Sequence, residues 1–261
     1  MSKLYPVVLS FSGHDPSGGA GIQADIETLS SHHCHSISVI TALTEQDSQN
    51  VKKMLPQLPE NIISQANTLL ADMQVAVIKI GLVGHFQTAQ AIAQILQQHP
   101  TIPVVFDPVL AAGGGASLSD SALLEAINTL LLPHTTVLTP NTQEARALTG
   151  LSETQGCGAA LLEKGCDYVL ITGADEPTAV IENHLFYEPQ KTEIFRWDRL
   201  PYHYHGSGCT LASSIAGLMA QGLDTFSAIT EAQDYTWNSL EAAYQIGKGQ
   251  YKPQRFFWVE A

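Results

Sequence analysis

Six short apolar runs, spaced by stretches of helical periodicity, limit what this chain can fold into. Pro6–Phe11, Ser36–Leu43, Val75–Ile80, Pro103–Phe106, Thr136–Leu138 and Tyr168–Ile171 are rich in Val, Ile and Leu and too short for helices. Such runs mark strands buried on both faces. Between them, Ile22–Ser31, Asn61–Met73, Thr88–Gln98 and Ser119–Leu131 carry apolar residues at helical spacing, and Thr139–Glu144 opens a further helix. Thr178–Phe186 and Thr192–Trp197 alternate and predict an antiparallel edge hairpin. Two last helices are predicted over 209–221 and 225–247. Strands alternating with helices predict an α/β fold: a mostly parallel central sheet with helices on both faces. No linker, repeat or low-complexity run divides the chain, so residues 1–261 read as one domain.

In such sheets ligands sit outside the C-terminal ends of the strands. The strand ends here are polar or glycine: Gly13-His14-Asp15, Gln46, Gly81, Asp107, Asn141 with Glu144, and Thr172-Gly173. Together they predict one polar cleft. His205-Gly-Ser-Gly-Cys-Thr210 then feeds a helix, so the amides of Gly206, Ser207, Gly208 and Cys209 converge at the positive end of a helix dipole. That arrangement holds an anion. The helix start also lowers a cysteine's pKa, which predicts a partly thiolate Cys209; a buried structural cysteine in a glycine turn is the alternative.

Asp107 and Glu144 suit a Mg²⁺ ion that keeps waters and phosphate as its other ligands. The alternatives are a turn residue before Pro108 and, for Asn141-x-x-Glu144, a capping box. Ser12–Gly21 has four glycines but no Gly-x-x-x-x-Gly-Lys, so it reads as a substrate loop rather than a Walker-type phosphate loop. His203 and His205 keep a cysteine-hydrolase reading open. An anion hole, a metal site and a base on the attacking hydroxyl fit phosphoryl transfer better. His32-His-Cys-His35 reads as a solvated helix end, and Cys34, Cys157 and Cys166 as structural thiols.

Composition narrows the class. A formal charge of −13 argues against a nucleic-acid partner, though backbone amides and a metal ion supply positive field locally. The four cysteines lack metal-ligand spacing and are too sparse for a disulfide scaffold. No run reaches transmembrane length, and the apolar Tyr5–Phe11 is too short for a signal core. A soluble cytoplasmic protein without a membrane partner is expected.

Several segments carry a family resemblance: Ser12–Asp25, Ser38–Thr44, Lys79–Gly81, Asp107–Val109, Thr139-Pro-Asn141 with Glu144, and His205–Thr210. In this order the chain resembles the hydroxymethylpyrimidine/phosphomethylpyrimidine kinases of thiamine biosynthesis, in the ribokinase-like superfamily. The resemblance implies a three-layer αβα sandwich. It also implies transfer of the γ-phosphoryl of ATP to 4-amino-5-hydroxymethyl-2-methylpyrimidine, then to its monophosphate. Gln46 would bond the pyrimidine, with Gly13, Asp15, Ala20 and Asp25 shaping its pocket. Cys209 would be the base, with the Gly206–Cys209 amides on the transferring phosphoryl. Asn141, Glu144, Thr172, Gly173, Gly206 and Gly208 would border ATP, and Asp107 and Glu144 would hold Mg²⁺. A homodimer is implied.

Three positions depart from the family. Thr172 stands where a lysine is common, Ala111–Ala116 replaces a more polar stretch, and Leu82 replaces methionine. Two rival readings remain: a pyridoxal kinase of the same fold, and a non-catalytic pyrimidine-binding sensor.

Overall fold

A computed structural model describes residues 5–111, 118–188 and 191–259. Among the described residues nine strands form one sheet: β1 (Val7–His14), β2 (His35–Gln46), β3 (Val51–Pro56), β4 (Val75–Ile80), β5 (Val104–Phe106), β6 (Val137–Leu138), β7 (Tyr168–Ile171), β8 (Val180–Tyr187) and β9 (Lys191–Asp198). Their order is β3-β2-β1-β4-β5-β6-β7-β8-β9. The six central strands are parallel, and β3, β8 and β9 extend the edges antiparallel.

Period-two alternation builds two cores from these strands. Leu9, Phe11, Ile78, Ile80, Val104 and Phe106 point to one face. There they meet α2 (Pro59–Asp72), α3 (Phe86–Gln98), α4 (Ser121–Ala126), α5 (Thr142–Thr149) and α6 (Thr154–Glu163). Val8, Val77 and Val105 point to the other, against α1 (Gly21–Ser31), α7 (Ser207–Ala220) and α8 (Thr225–Glu241). The helices on both faces make the three layers that the alternation predicts.

Three elements differ from the sequence reading. β3 was unforeseen; it pairs with β2, which runs on to Gln46. α6 was unforeseen as well: its Gly156 and Gly158 weaken the helical signal, yet an added Cβ on Gly158 would lie 2.4 Å from the Phe186 ring. The glycine lets the helix sit close on β8. α8 stops at Glu241 instead of Gly247, because the chain turns back and Tyr244 pairs with Lys252. The histidine cluster is a partial correction too. His33 and His35 are exposed, but His32 bonds Ser214 Oγ on α7 at 2.8 Å, and burial holds its pKa down to about 4. Cys34, Cys157 and Cys166 are buried free thiols. Among the described residues no helix is long and apolar enough to cross a membrane.

Candidate active site

The C-terminal strand ends and the start of α7 enclose a cleft of about 470 Å³. Gly13 and Asp15 reach it from β1, Gln46 from β2, Asp107 from β5, Asn141 and Glu144 from β6, and Thr172 from β7. Gly206, Ser207, Gly208 and Cys209 close it, with Ala20 opposite. Of the Ala111–Ala116 stretch only Ala111 is described, and it lines the cleft; the rest lies outside the described residues.

The sequence makes the α7 tip an open anion nest. Gly206 caps it at φ +85°, a conformation that L side chains rarely adopt. An added Cβ there would lie 2.1 Å from Gly19 O, so the two glycine loops touch backbone to backbone. The first intrahelical bond is Thr210 N to Gly206 O. Among the described residues no side chain caps the helix. The amides of Ser207, Gly208 and Cys209 therefore precede the helical ladder at the positive dipole end. Buried Arg255 locks both loops. It donates to Gly19 O (2.6 Å), Thr210 Oγ1 (2.9 Å) and Glu27 Oε2 (2.8 Å).

Beneath the nest lies an ion pair that sequence pattern did not disclose. Lys79 on β4 and Asp25 on α1 have side chains 0% exposed, and they meet at 2.8 Å. Ser12 and Ser213 also donate to Asp25. Asp25 is thus corrected from a pocket residue to a floor support: its oxygens are consumed below the cleft. Gly173 is corrected likewise. It faces β8, where an added Cβ would strike Glu182 O, and its N–H donates to Asn183 Oδ1 at 3.1 Å.

Cys209 sits at the cleft, but its pKa moves opposite to expectation. Burial pushes the thiol up to about 12. Lys79 opposes this, the negative charges of Asp107 and Asp25 add to it, and the Gly21 N–H opposes it weakly. Desolvation outweighs the helix tip, so the free protein holds a thiol.

Asp107 and Glu144 form a strained acidic pair. Burial lifts Asp107 to about 6; Lys79 opposes, Asp25 adds, and the Cys209 thiol opposes by hydrogen bonding. Burial lifts Glu144 to about 8, with repulsion from Asp107 next. The capping box is real: Glu144 N donates to Asn141 Oδ1 (2.8 Å), and Asn141 N to Glu144 Oε2 (2.9 Å). Leu110 N donates to Glu144 Oε1 at 3.3 Å. Asp107 Oδ2 is buried with no hydrogen-bond partner. An orphaned carboxylate oxygen beside a second carboxylate of raised pKa fits a divalent cation. Among the described residues no group of three or more acidic, His or Cys side chains could hold one alone. Water and phosphate would complete its shell.

The raised pKa values carry a stability consequence. A carboxyl that binds its proton more tightly folded than unfolded loses its contribution as pH rises. For Glu144 that window runs from 4.5 to about 8, and for Asp107 from 3.8 to about 6. Urea unfolding midpoints of the ligand-free protein are expected to fall across pH 5 to 8. Glu144→Gln is expected to flatten the fall; an equally steep profile in that variant would remove Glu144 as its source.

At the other end of the cleft Asp15 is saturated. It accepts from Ser17 N and Oγ, Gly19 N, Ala20 N and His205 Nε2 at 2.7–3.1 Å. Burial raises its pKa, but the bonds from His205 and Ser17 overcome this and hold it down to about 2. The Gln46 amide spans Thr44 Oγ1 (3.1 Å) and His205 Nε2 (2.9 Å). Asp15 therefore organises the loop and His205, and spends its oxygens doing so. Asn183, Trp197, Gln233 and Trp237 also line the cleft. They come from the hairpin and α8, and no local motif marks them.

A family model described as phosphomethylpyrimidine kinase matches residues 15–254. The hydroxymethylpyrimidine/phosphomethylpyrimidine kinase of Streptomyces coelicolor is 33% identical, covering 94% of this chain and 92% of that protein. The chloroplastic thiamine biosynthetic bifunctional enzyme TH1 of Arabidopsis thaliana is 32% identical over 98% of this chain; the chain spans 51% of that longer protein. A Staphylococcus aureus pyridoxal kinase solved with pyridoxal superposes with a TM-score of 0.89 at 23% identity, covering 98% and 95% of the two chains.

Proposed function

Because this chain belongs to the phosphomethylpyrimidine kinase family, we propose that it moves the γ-phosphoryl of ATP onto the hydroxymethyl group of 4-amino-5-hydroxymethyl-2-methylpyrimidine, and then onto the resulting monophosphate. The observation that carries the reading is the convergence of Cys209, the α7 amides, Asp107 and Gln46 on one cleft.

Phosphoryl transfer asks little covalent work of the protein and much positioning. Gln46, Gly13 and Ala20 seat the ring, and Cys209 meets the hydroxyl. The amides of Ser207, Gly208 and Cys209 stabilise charge on the transferring group. Asn141 and Thr172 border ATP beside Gly206 and Gly208. Asp107 and Glu144 would hold Mg²⁺, which when bound neutralises phosphate charge and offsets the field of Asp107 on the thiol. Lys79 is neutralised by Asp25 beneath the site, so neither it nor Thr172 supplies a free cation to the phosphates. The single domain, 1–261, is expected to work as a cytoplasmic homodimer.

The test supplies the pyrimidine alcohol and its monophosphate separately, with ATP and Mg²⁺, and weighs the products. Phosphorylation of both is expected. Turnover of pyridoxal alone would transfer the assignment to a pyridoxal kinase, and tight pyrimidine binding without ADP release would make the protein a sensor.

A further inference from the structure

Among the described residues, Arg199 is the one lysine or arginine that lines the cleft. Against it stand the carboxylates of Asp107, Glu144 and Asp175 on the same walls. The buried cations nearby are already paired, Lys79 with Asp25 and Arg255 with Glu27. Arg199 has no such partner: among the described residues no carboxylate lies within ion-pair reach of its guanidinium. Three backbone carbonyls hold it instead. Nε donates to Thr178 O (2.7 Å), Nη1 to Ala174 O (2.9 Å) and Nη2 to Glu176 O (2.7 Å).

The loop between β7 and β8 is shaped for this grip. Glu176 N donates to Gly173 O at 3.2 Å and Thr178 N to Glu176 O at 2.8 Å. Pro177, with its fixed φ, stands between them. These tight turns bring alternate carbonyls to one point. A carbonyl accepts an N–H but carries no net charge, so the guanidinium remains a full cation. It has five N–H groups and the loop uses three, which leaves two. The loop also ties the cation to the strand ends. Ala174 comes two residues after Thr172, which bridges Asn141 in parallel register. Asp175 lines the cleft, and its charge is felt at Glu144, while the charge of Arg199 is felt at Asp175.

We propose that Arg199 binds the phosphate chain of ATP: the β7–β8 loop aims the guanidinium, and its two spare N–H groups supply the cation that Thr172 lacks. This rests on the reading above that ATP is the phosphoryl donor, and not on the choice of acceptor. An arginine suits the task. Its planar fork matches phosphate oxygens, and carbonyls that hold it in advance reduce the freedom lost on binding.

The test is calorimetry of MgATP and of adenosine, which has no phosphate, with no acceptor present. Arg199→Gln is expected to weaken MgATP about 10- to 100-fold, the scale of hydrogen bonds to a charged group, and to leave adenosine unchanged. An arginine that only stays the loop would weaken both ligands alike. A cation returned at the strand end separates the two roles again. Thr172→Lys added to Arg199→Gln should recover most of the MgATP affinity, which a slack loop would not allow. Equal losses for MgATP and adenosine, or no recovery with Thr172→Lys, would overturn the proposal. MgATP bound equally by the wild-type protein and Arg199→Gln would overturn the proposal alone. Wild-type protein that binds no MgATP would overturn the donor reading and the proposal together.

Discussion

Cys209→Ala is expected to lower kcat about a hundredfold or more, the usual loss when a general base is removed, with KM little changed. The sulfur lies in the cleft beside Asp107 and the Gly21 N–H, at the tip that supplies the anion nest. It is a thiol in the free protein, so catalysis needs its pKa brought down as charge accumulates nearby. A loose transition state tolerates late proton transfer, which is why a thiol of raised pKa serves here. Steady-state assays at saturating ATP check this, with thermal melting confirming the fold. Near-normal turnover would take Cys209 out of the chemistry and leave the amide nest as the main contributor.

Lys79→Met is expected to cost about 3–5 kcal/mol of folding stability, because it strands a buried carboxylate. Asp25 keeps its serine donors but loses its counter-charge. Pairing the change with Asp25→Asn should recover much of the loss, since an amide needs no cation. Urea unfolding of the two single variants and the double variant measures the coupling. A cost below about 1 kcal/mol for Lys79→Met, within the range of an exposed pair, would mean the floor is held by packing alone.

What the sequence disclosed follows physical range. Periodicity within a run finds β1, β4 and β7, and spacing within one turn finds the Asn141–Glu144 capping box. The strand-end rule gathers Gln46, Asp107 and Cys209 although they are far apart in the chain. Pairings across the fold left no such trace. Lys79 reads as one polar residue in an apolar strand until Asp25 is brought from 54 residues away. Asp25 follows the glycine loop and resembles a pocket residue; only the packing of α1 against β1 and α7 turns it downward. β3 was hidden because it is an edge strand with Lys52 and Lys53 exposed, so no buried face stamps an alternation on it. The thiol's raised pKa is not legible in sequence, because helix-tip electrostatics are local whereas desolvation depends on every neighbour.

The Arg255 lock has a consequence for the timing of synthesis. Its guanidinium grips the carbonyl of Gly19, which is 236 residues earlier in the chain. At about 5–20 residues per second, roughly 12–47 s separate the two on the ribosome. Until Arg255 emerges, the two glycine loops can meet through His205 on Asp15 but lack the guanidinium clasp. The last bonds of the cleft's frame therefore form only after Arg255 is made, when every proposed catalytic group is already in the chain.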